Sequence, residues 1–129
     1  MGDSAYCVLR LPAAGGCERL PVPAPEITQE MLAALLQTDV TERMRMPVMP
    51  DGLADSAVLC YFIDARGGER GLQANFPGTC FYHTGCPIFG DLVLALCDRD
   101  SDSAVISALD PQQADLLTQW LHAQLPAYL

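Results

Sequence analysis

The sequence predicts an α+β fold: a small, mostly antiparallel (mixed) sheet of about five strands with two helices packed on it. Three observations carry this prediction. Short apolar runs with strand periodicity alternate with turn residues, two segments have helical apolar spacing next to capping residues, and no regular βαβα alternation occurs. The 129 residues suit a single domain, residues 1–129, and the hydrophobic half of the chain suffices for a core without disulfide or metal.

The first two predicted strands lie close to the N-terminus. In Tyr6–Leu11 apolar side chains occupy one face and Arg10 the other, and a turn at residues 13–16 leads to a second strand at Glu18–Val22. The prolines within residues 21–25 have no N–H to donate to a sheet. We therefore expect this stretch to be a sheet edge or an exit loop.

The first predicted helix runs from Gln29 to about Gln37. Thr28 is suited to cap its N-terminus, and Glu30 places an anion in the first turn, where the helix dipole favours one. Apolar residues recur at helical spacing and predict one buried stripe, formed by Met31, Leu32, Leu35 and Leu36.

Residues 40–48 alternate and predict a half-exposed strand. One face carries Met44, Met46 and Val48, for which core packing is the expected role. The other face carries Arg43, Arg45 and Pro47, for which we expect a solvated face, with the proline marking an edge or an end.

The centre of the predicted sheet consists of Ala57–Asp64 and residues 92–97. A polar loop at residues 49–56 precedes the first of these strands. Both strands are apolar at successive positions, which indicates that each is covered on two sides.

The second predicted helix follows Asp110. This aspartate is the expected N-cap, Pro111 occupies the first helical position, and Gln113 completes a capping box. The apolar stripe, ended by Pro126, consists of Leu116, Leu117, Trp120, Leu121 and Leu125.

Charge and hydropathy exclude several classes of function. A net charge of −9, with seven arginines and no lysine, disfavours direct nucleic-acid binding through a basic patch. The longest purely apolar run, residues 57–63, is far shorter than the roughly 20 residues of a membrane helix. The N-terminal residues do not read as a signal peptide, so we expect a cytoplasmic protein with reduced thiols and no membrane association.

The most specific stretch of the chain contains Gly71-Leu72 followed by Asn75, and Gly90-Asp91 leading into an apolar strand. Together with the strand ending at Asp64, these motifs resemble the DUF3846 family, small uncharacterised domains of bacteria, phages and mobile elements. The similarity covers residues 6–121. It implies a shared fold, structural roles for the five motif residues, and a mobile-element or phage-like context, but no activity.

The best candidates for chemistry are Cys80, His83 and Cys86. Their spacing offers three soft ligands for zinc, with Cys60 or Cys97 as possible fourth ligands. On an extended chain, however, the histidine faces away from the two cysteines. A thiol nucleophile with His83 or His122 as its base is the second interpretation. The plainer alternative is two packed thiols and a surface histidine.

These observations favour a non-catalytic accessory or interaction domain that binds a protein and needs no cofactor. A protein partner, or a second copy of the chain, is expected to add to a sheet edge near residues 21–25 or 44–47. The alternative is a small metal-binding protein or thiol enzyme centred on Cys80, His83 and Cys86.

Overall fold

The computed structural model describes residues 6–46, 50–53, 57–75, 88–98 and 105–124, and it confirms the α+β class. In these ranges the chain forms seven strands and two helices. The strands are β1 (Tyr6–Leu11), β2 (Glu18–Val22), β3 (Glu26–Ile27), β4 (Thr41–Arg45), β5 (Ala57–Asp64), β6 (Leu92–Asp98) and β7 (Ile106–Ser107). The helices are α1 (Gln29–Leu36) and α2 (Pro111–Gln124).

All described strands belong to one antiparallel sheet. Its main order is β2-β1-β6-β5-β4, while β7 also pairs with β6 and β3 pairs with β7. The sheet is therefore larger than the five strands predicted. The additional strands β3 and β7 contain two residues each, which is too short for an alternating pattern to reveal them in the sequence.

The sheet separates two hydrophobic clusters, each covered by one helix. Along β6, Leu92, Leu94 and Leu96 face the cluster that contains α2, and the intervening residues face the cluster that contains α1. Strand β5 alternates in the same way. The prediction that these two strands are covered on both sides is thus confirmed, because successive side chains of a strand point to opposite faces.

Local capping residues set the limits of α1. The Thr28 hydroxyl accepts a hydrogen bond from the Met31 N–H at 3.1 Å, as predicted. The helix stops at Leu36 because Gln37 adopts a left-handed conformation (φ 54°), and its N–H donates to the Ala34 carbonyl at 3.2 Å. Of the predicted stripe, Leu32 and Leu36 are buried, and the other two residues pack partly buried beside them.

The predicted capping box of α2 is confirmed. The Asp110 carboxylate accepts a hydrogen bond from the Gln113 N–H at 2.8 Å, and the Asp110 N–H donates to the Gln113 side-chain oxygen at 3.0 Å. The buried stripe consists of Ala114, Leu117 and Leu121. The predicted stripe residue Leu125 lies outside the described residues.

The strand predicted over residues 40–48 is observed as β4, one of the two terminal strands of the main sheet order. Met46 is buried and Met44 half-buried in the α2-side cluster, whereas Arg43 and Arg45 are exposed. Residues 47–49, with the predicted end at Pro47, lie outside the described ranges. Among the helices that the structure describes, none is long and apolar enough to span a bilayer.

Candidate functional site

A cavity of about 300 Å³ lies where the ends of several elements meet. Its walls come from the end of β1 and the turn that follows it, the last turn of α1, the end of β5 and the turn after it, and Gly90-Asp91. Its charged lining residues are Arg10, Asp64, Arg70 and Asp91. Four charged groups around one ligand-sized space make this the candidate site.

Asp64, the last residue of β5, is the buried carboxylate at the base of this site. It is 4% exposed, and it accepts hydrogen bonds from the Thr38 hydroxyl at 2.9 Å and the Arg66 N–H at 2.8 Å. The Arg70 guanidinium donates to its second oxygen and also to the Gln37 carbonyl at 3.0 Å. Asp64 therefore connects the end of α1 to the turn that follows β5.

These contacts determine the protonation of Asp64. Burial alone would raise the pKa of its carboxyl, but the hydrogen bonds from Arg66, Thr38 and Arg70, together with the charge of Arg70, outweigh burial and lower the pKa below its ordinary value. The carboxylate is ionised, and both of its oxygens are occupied. It is a structural anion and poorly suited to act as a general base.

Asn75 is fully buried and joins three parts of the chain. Its side-chain amide donates to the Leu11 carbonyl at 2.9 Å and to the Gly90 carbonyl at 2.8 Å, and its backbone N–H donates to the Ile88 carbonyl at 2.7 Å. Asn75 thus fixes the turn after β5 to the end of β1 and to the segment that leads into β6.

The structure describes all four of the other motif residues, and one of them, Gly90, accepts the hydrogen bond from this amide. Gly71 and Gly90 have positive φ values of 72° and 88°. The Leu72 side chain packs so closely against Gly90 that a Cβ there would lie 2.8 Å from the Leu72 Cδ1. The Asp91 carboxylate accepts a hydrogen bond from the Ala13 N–H at 3.0 Å. Leu72, Gly90 and Asp91 line the cavity, and Gly71 lies in the turn after β5, where its N–H donates to the Gly68 carbonyl at 3.2 Å.

The two arginines of the cavity each have an acidic partner. Arg10 Nη2 lies 2.6 Å from Glu18 Oε2 on the neighbouring strand β2, and Arg70 pairs with Asp64. Asp91 differs, because the only hydrogen bond found for its carboxylate in the described part of the chain comes from the uncharged Ala13 N–H. Asp91 is therefore the cavity charge without an ionic partner there.

The predicted metal-binding residues Cys80, His83 and Cys86 lie outside the described residues. Cys60 and Cys97, the suggested fourth ligands, are both described and are buried in the α1-side cluster. Within the described ranges, no group of three or more His, Cys, Asp or Glu side chains is placed to hold a metal ion. The metal site remains a prediction.

Cys60 and Cys97 form a hydrogen-bonded thiol pair on adjacent strands. Their hydrogen bond lowers the pKa of Cys97 and raises that of Cys60; burial opposes ionisation of both, and the positive charge of Arg43, whose Nη1 lies 4.0 Å from Cys97 Sγ, favours the thiolate. His122 lies exposed in the last turn of α2. Each of the two residues is 3% exposed, so within the described part of the chain neither thiol is readily accessible to a substrate.

The sequence interpretation did not identify Arg10, Asp64 and Arg70 as site residues. Asp64 had one signal, since it is a charged residue that ends an otherwise apolar strand. The arginines had none, because their partners Glu18 and Asp64 are brought to them by a strand pairing and a turn. Comparison of the chain with protein-family models, with curated proteins and with solved structures gave no match.

Proposed function

We propose that this chain is a non-catalytic interaction domain of the cytoplasm that binds an extended acidic segment of a protein partner along β4. Membership of the DUF3846 family and a mobile-element context are part of this proposal and rest on the sequence motifs alone. The observation that carries the binding role is the position of β4, which ends the main sheet order and has one described neighbour, β5.

The chemistry of the cavity supports binding over catalysis. None of the described residues that line it carries a hydroxyl, thiol or imidazole group, so its side-chain nucleophiles there are limited to the carboxylates of Asp64 and Asp91. Its buried carboxylate, Asp64, has a lowered pKa and both oxygens occupied. Its polar groups hold turns together and orient charges.

The backbone of β4 is suited to accept another strand. The Val40 carbonyl accepts from the Ala65 N–H at 3.0 Å, and the Met46 N–H donates to the Leu59 carbonyl at 2.9 Å. Because alternate residues of an antiparallel strand bond to the same neighbour, Thr41 and Arg45 direct their backbone groups away from β5. Groups of this kind bind an added strand through main-chain hydrogen bonds.

The side chains of β4 indicate the charge of the partner. Arg43 and Arg45 share one face of the strand and are exposed, in a protein whose net charge is −9. A second copy fits poorly, because antiparallel pairing of β4 with itself about either arginine sets that residue opposite its own counterpart. An extended acidic segment supplies a charge complementary to the exposed Arg45.

The opposite edge of the sheet is less suitable. Strand β2 contains Pro21, which lacks the N–H that a paired strand would use. Arg19 of β2 is engaged with Asp115, and Arg10 of the neighbouring strand β1 is engaged with Glu18. We therefore assign the docking edge to β4 rather than β2.

The test measures binding of two labelled extended peptides, alternating Thr-Glu and Thr-Lys, by fluorescence anisotropy. We expect binding of the acidic peptide only. Arg45→Glu reverses the charge of this residue and should weaken binding of the acidic peptide about tenfold, a change of about 1.4 kcal/mol. The control Arg66→Glu makes the same charge change on an exposed residue of the turn after β5. An equal loss of affinity for the acidic peptide in both variants would contradict the proposal, and so would a preference of the protein for the basic peptide.

The alternative function, a metal protein or thiol enzyme centred on Cys80, His83 and Cys86, has a separate test. Metal analysis of protein purified without chelator should give about one zinc per chain if these residues hold a structural or catalytic ion. A content far below one removes the metal protein, and a pH profile of iodoacetamide labelling that shows only ordinary thiols removes the thiol enzyme. Either result leaves the β4 proposal untouched.

A further inference from the structure

We infer that the cavity beside Asp91 binds the cationic group of a small organic ligand, an alkylammonium with a short apolar stem. This inference goes beyond the proposed partner binding, because no residue of β4 lines the cavity. It rests on the distribution of charges around the cavity, on the end of α1 that forms one wall, and on the apolar surface beside Asp91.

The charges of the cavity favour a cation over an anion. Arg10 Nη2 is bound to Glu18 and the Arg70 guanidinium to Asp64, so an anionic ligand would have to compete with two carboxylates already in place. Arg10 Nε has no hydrogen-bond partner among the described residues, but it is buried and therefore out of reach of a ligand. Asp91, by contrast, holds only the Ala13 N–H, on one oxygen, within the described part of the chain. A cation at Asp91 gains a charge-assisted hydrogen bond without displacing an existing ion pair.

The end of α1 adds to this preference. Leu35, Leu36 and Gln37 form part of the wall, and they are the C-terminal end of the helix, where the macrodipole places partial negative charge. No basic residue occurs in the last turn of α1 itself. Arg70 compensates for part of this charge through its hydrogen bond to the Gln37 carbonyl.

The apolar part of the lining selects a ligand with a hydrocarbon stem. Leu35, Leu36 and Leu72 contribute aliphatic surface to the same cavity as Asp91. An ammonium group on a short alkyl chain can bury its stem against such surface while its charged end contacts the carboxylate. A volume of about 300 Å³ accommodates a molecule of this size.

The experiment compares three probes that share one stem: n-butylammonium, n-butanol and butyrate. Each is titrated into the isotope-labelled protein at fixed ionic strength, and backbone amide shifts are followed. We expect saturable shifts at Ala13, Leu72 and Gly90 with butylammonium, about tenfold weaker binding of butanol, and no binding of butyrate, since a charged hydrogen bond carries most of the affinity. Tighter binding of butyrate, or butylammonium shifts away from these residues, would overturn the inference.

Two variants distinguish binding of butylammonium at Asp91 from nonspecific attraction of a cation to an acidic protein. Asp91→Asn retains an oxygen that can accept from the Ala13 N–H and should weaken butylammonium binding about tenfold. Asp51→Asn removes the same charge from an exposed position outside the cavity and should leave the affinity unchanged. Equal affinities for both variants would overturn the inference, and the probe series on the unmodified protein decides it should Asp91→Asn fail to fold.

A final comparison identifies the source of the ammonium group. Nα-acetyl-lysine methylamide carries the same alkylammonium as a protein side chain, and butylammonium represents a free amine. Tighter binding of the lysine derivative assigns the ligand to a protein, and tighter binding of the free amine assigns it to a metabolite. Failure of both to bind the cavity would exclude an alkylammonium ligand, whatever the outcome for acidic peptides at β4.

Discussion

At the scale of single residues, Asp64 is the one buried charged side chain in the described part of the chain. We predict that Asp64→Ala lowers the free energy of unfolding by about 2–4 kcal/mol, because it leaves the donors of Thr38 and Arg70 without their acceptor. Urea denaturation followed by the fluorescence of Trp120, the single tryptophan, measures the change. The control Asp115→Ala breaks an exposed pair with Arg19 and should cost at most about 1 kcal/mol. Equal costs of the two substitutions would contradict the prediction, because the buried contacts of Asp64 would then stabilise the protein no more than an exposed ion pair does.

The same carboxylate predicts a pH dependence. Because the pKa of Asp64 is lowered in the folded state, its contribution is complete above the unfolded value of about 3.9 and is lost as the pH falls through the folded pKa. The stability advantage of the unmodified protein over Asp64→Asn should therefore be constant from pH 7 to about 5 and shrink below about 4. Urea titrations at these pH values measure the difference. An advantage that grows on acidification would contradict the assigned direction.

Gly90 carries two constraints at one position. Its φ of 88° disfavours any side chain, and a Cβ would also meet the Leu72 side chain. Gly16 has a similar φ of 93°, but a Cβ added there would have no atom within 4 Å. The cost of Gly16→Ala therefore measures the backbone strain alone. We predict that Gly16→Ala costs about 1 kcal/mol and that Gly90→Ala costs up to about 1 kcal/mol more, because Leu72 Cδ1 is the end of a half-buried side chain that must shift. Urea denaturation measures both costs. Similar costs would mean that Leu72 moves aside freely.

At this scale, the sequence identified residues but not their partners. The sequence predicts structural roles for Gly71, Leu72, Asn75, Gly90 and Asp91. In the structure Leu72, Gly90 and Asp91 line one cavity, and Asn75 donates a hydrogen bond to the Gly90 carbonyl. The hydrogen bonds of Asn75 reach Leu11 and Gly90, which are remote in sequence. No local pattern encodes such contacts, so the cavity itself could not be predicted.

At the scale of elements, α2 depends on its capping box. Asp110→Ala removes the acceptor of the Gln113 N–H and should cost about 1 kcal/mol, while Asp110→Ser should recover most of it, because serine also caps well. Thermal unfolding followed by far-UV circular dichroism measures both variants. Gln112→Ala, at an exposed first-turn position, is the control and should change stability by less than about 0.5 kcal/mol. A cost for Asp110→Ala no larger than the control would contradict a stabilising role for the cap.

Elements differ in how far the sequence could predict them. Both helices were predicted closely, because capping residues and apolar spacing are local signals. The C-terminal end of α1 differs from the prediction by one residue, because Gln37 adopts a left-handed conformation. The long strands β1 and β5 were predicted with their observed limits. The two-residue strands β3 and β7 were missed, since their pairing depends on segments far apart in the chain.

At the scale of the whole molecule, the sheet divides the interior into two layers. The uninterrupted apolar runs of β5 and β6 predicted that both strands are covered on two sides and lie inside the sheet, but not that each helix covers a different face. An edge near residues 44–47 was also expected, and β4 is terminal. That β6 lies between β1 and β5 was beyond prediction, because it depends on long-range pairing. The terminal position of β4, and with it the proposed docking edge, follows from that order.

Because the sheet separates two hydrophobic clusters, substitutions in different clusters should change the free energy of unfolding additively. Ile106→Val trims the α1-side cluster and Ile88→Val the α2-side cluster, and each should cost about 0.5–1.5 kcal/mol. Because the sheet backbone separates the two side chains, the double variant should equal the sum within about 0.5 kcal/mol, measured by urea denaturation. Ile63→Val combined with Ile88→Val, both in the α2-side cluster, is the matched comparison in which shared neighbours permit coupling. Strong coupling across the sheet, with none within one face, would contradict the two-layer description.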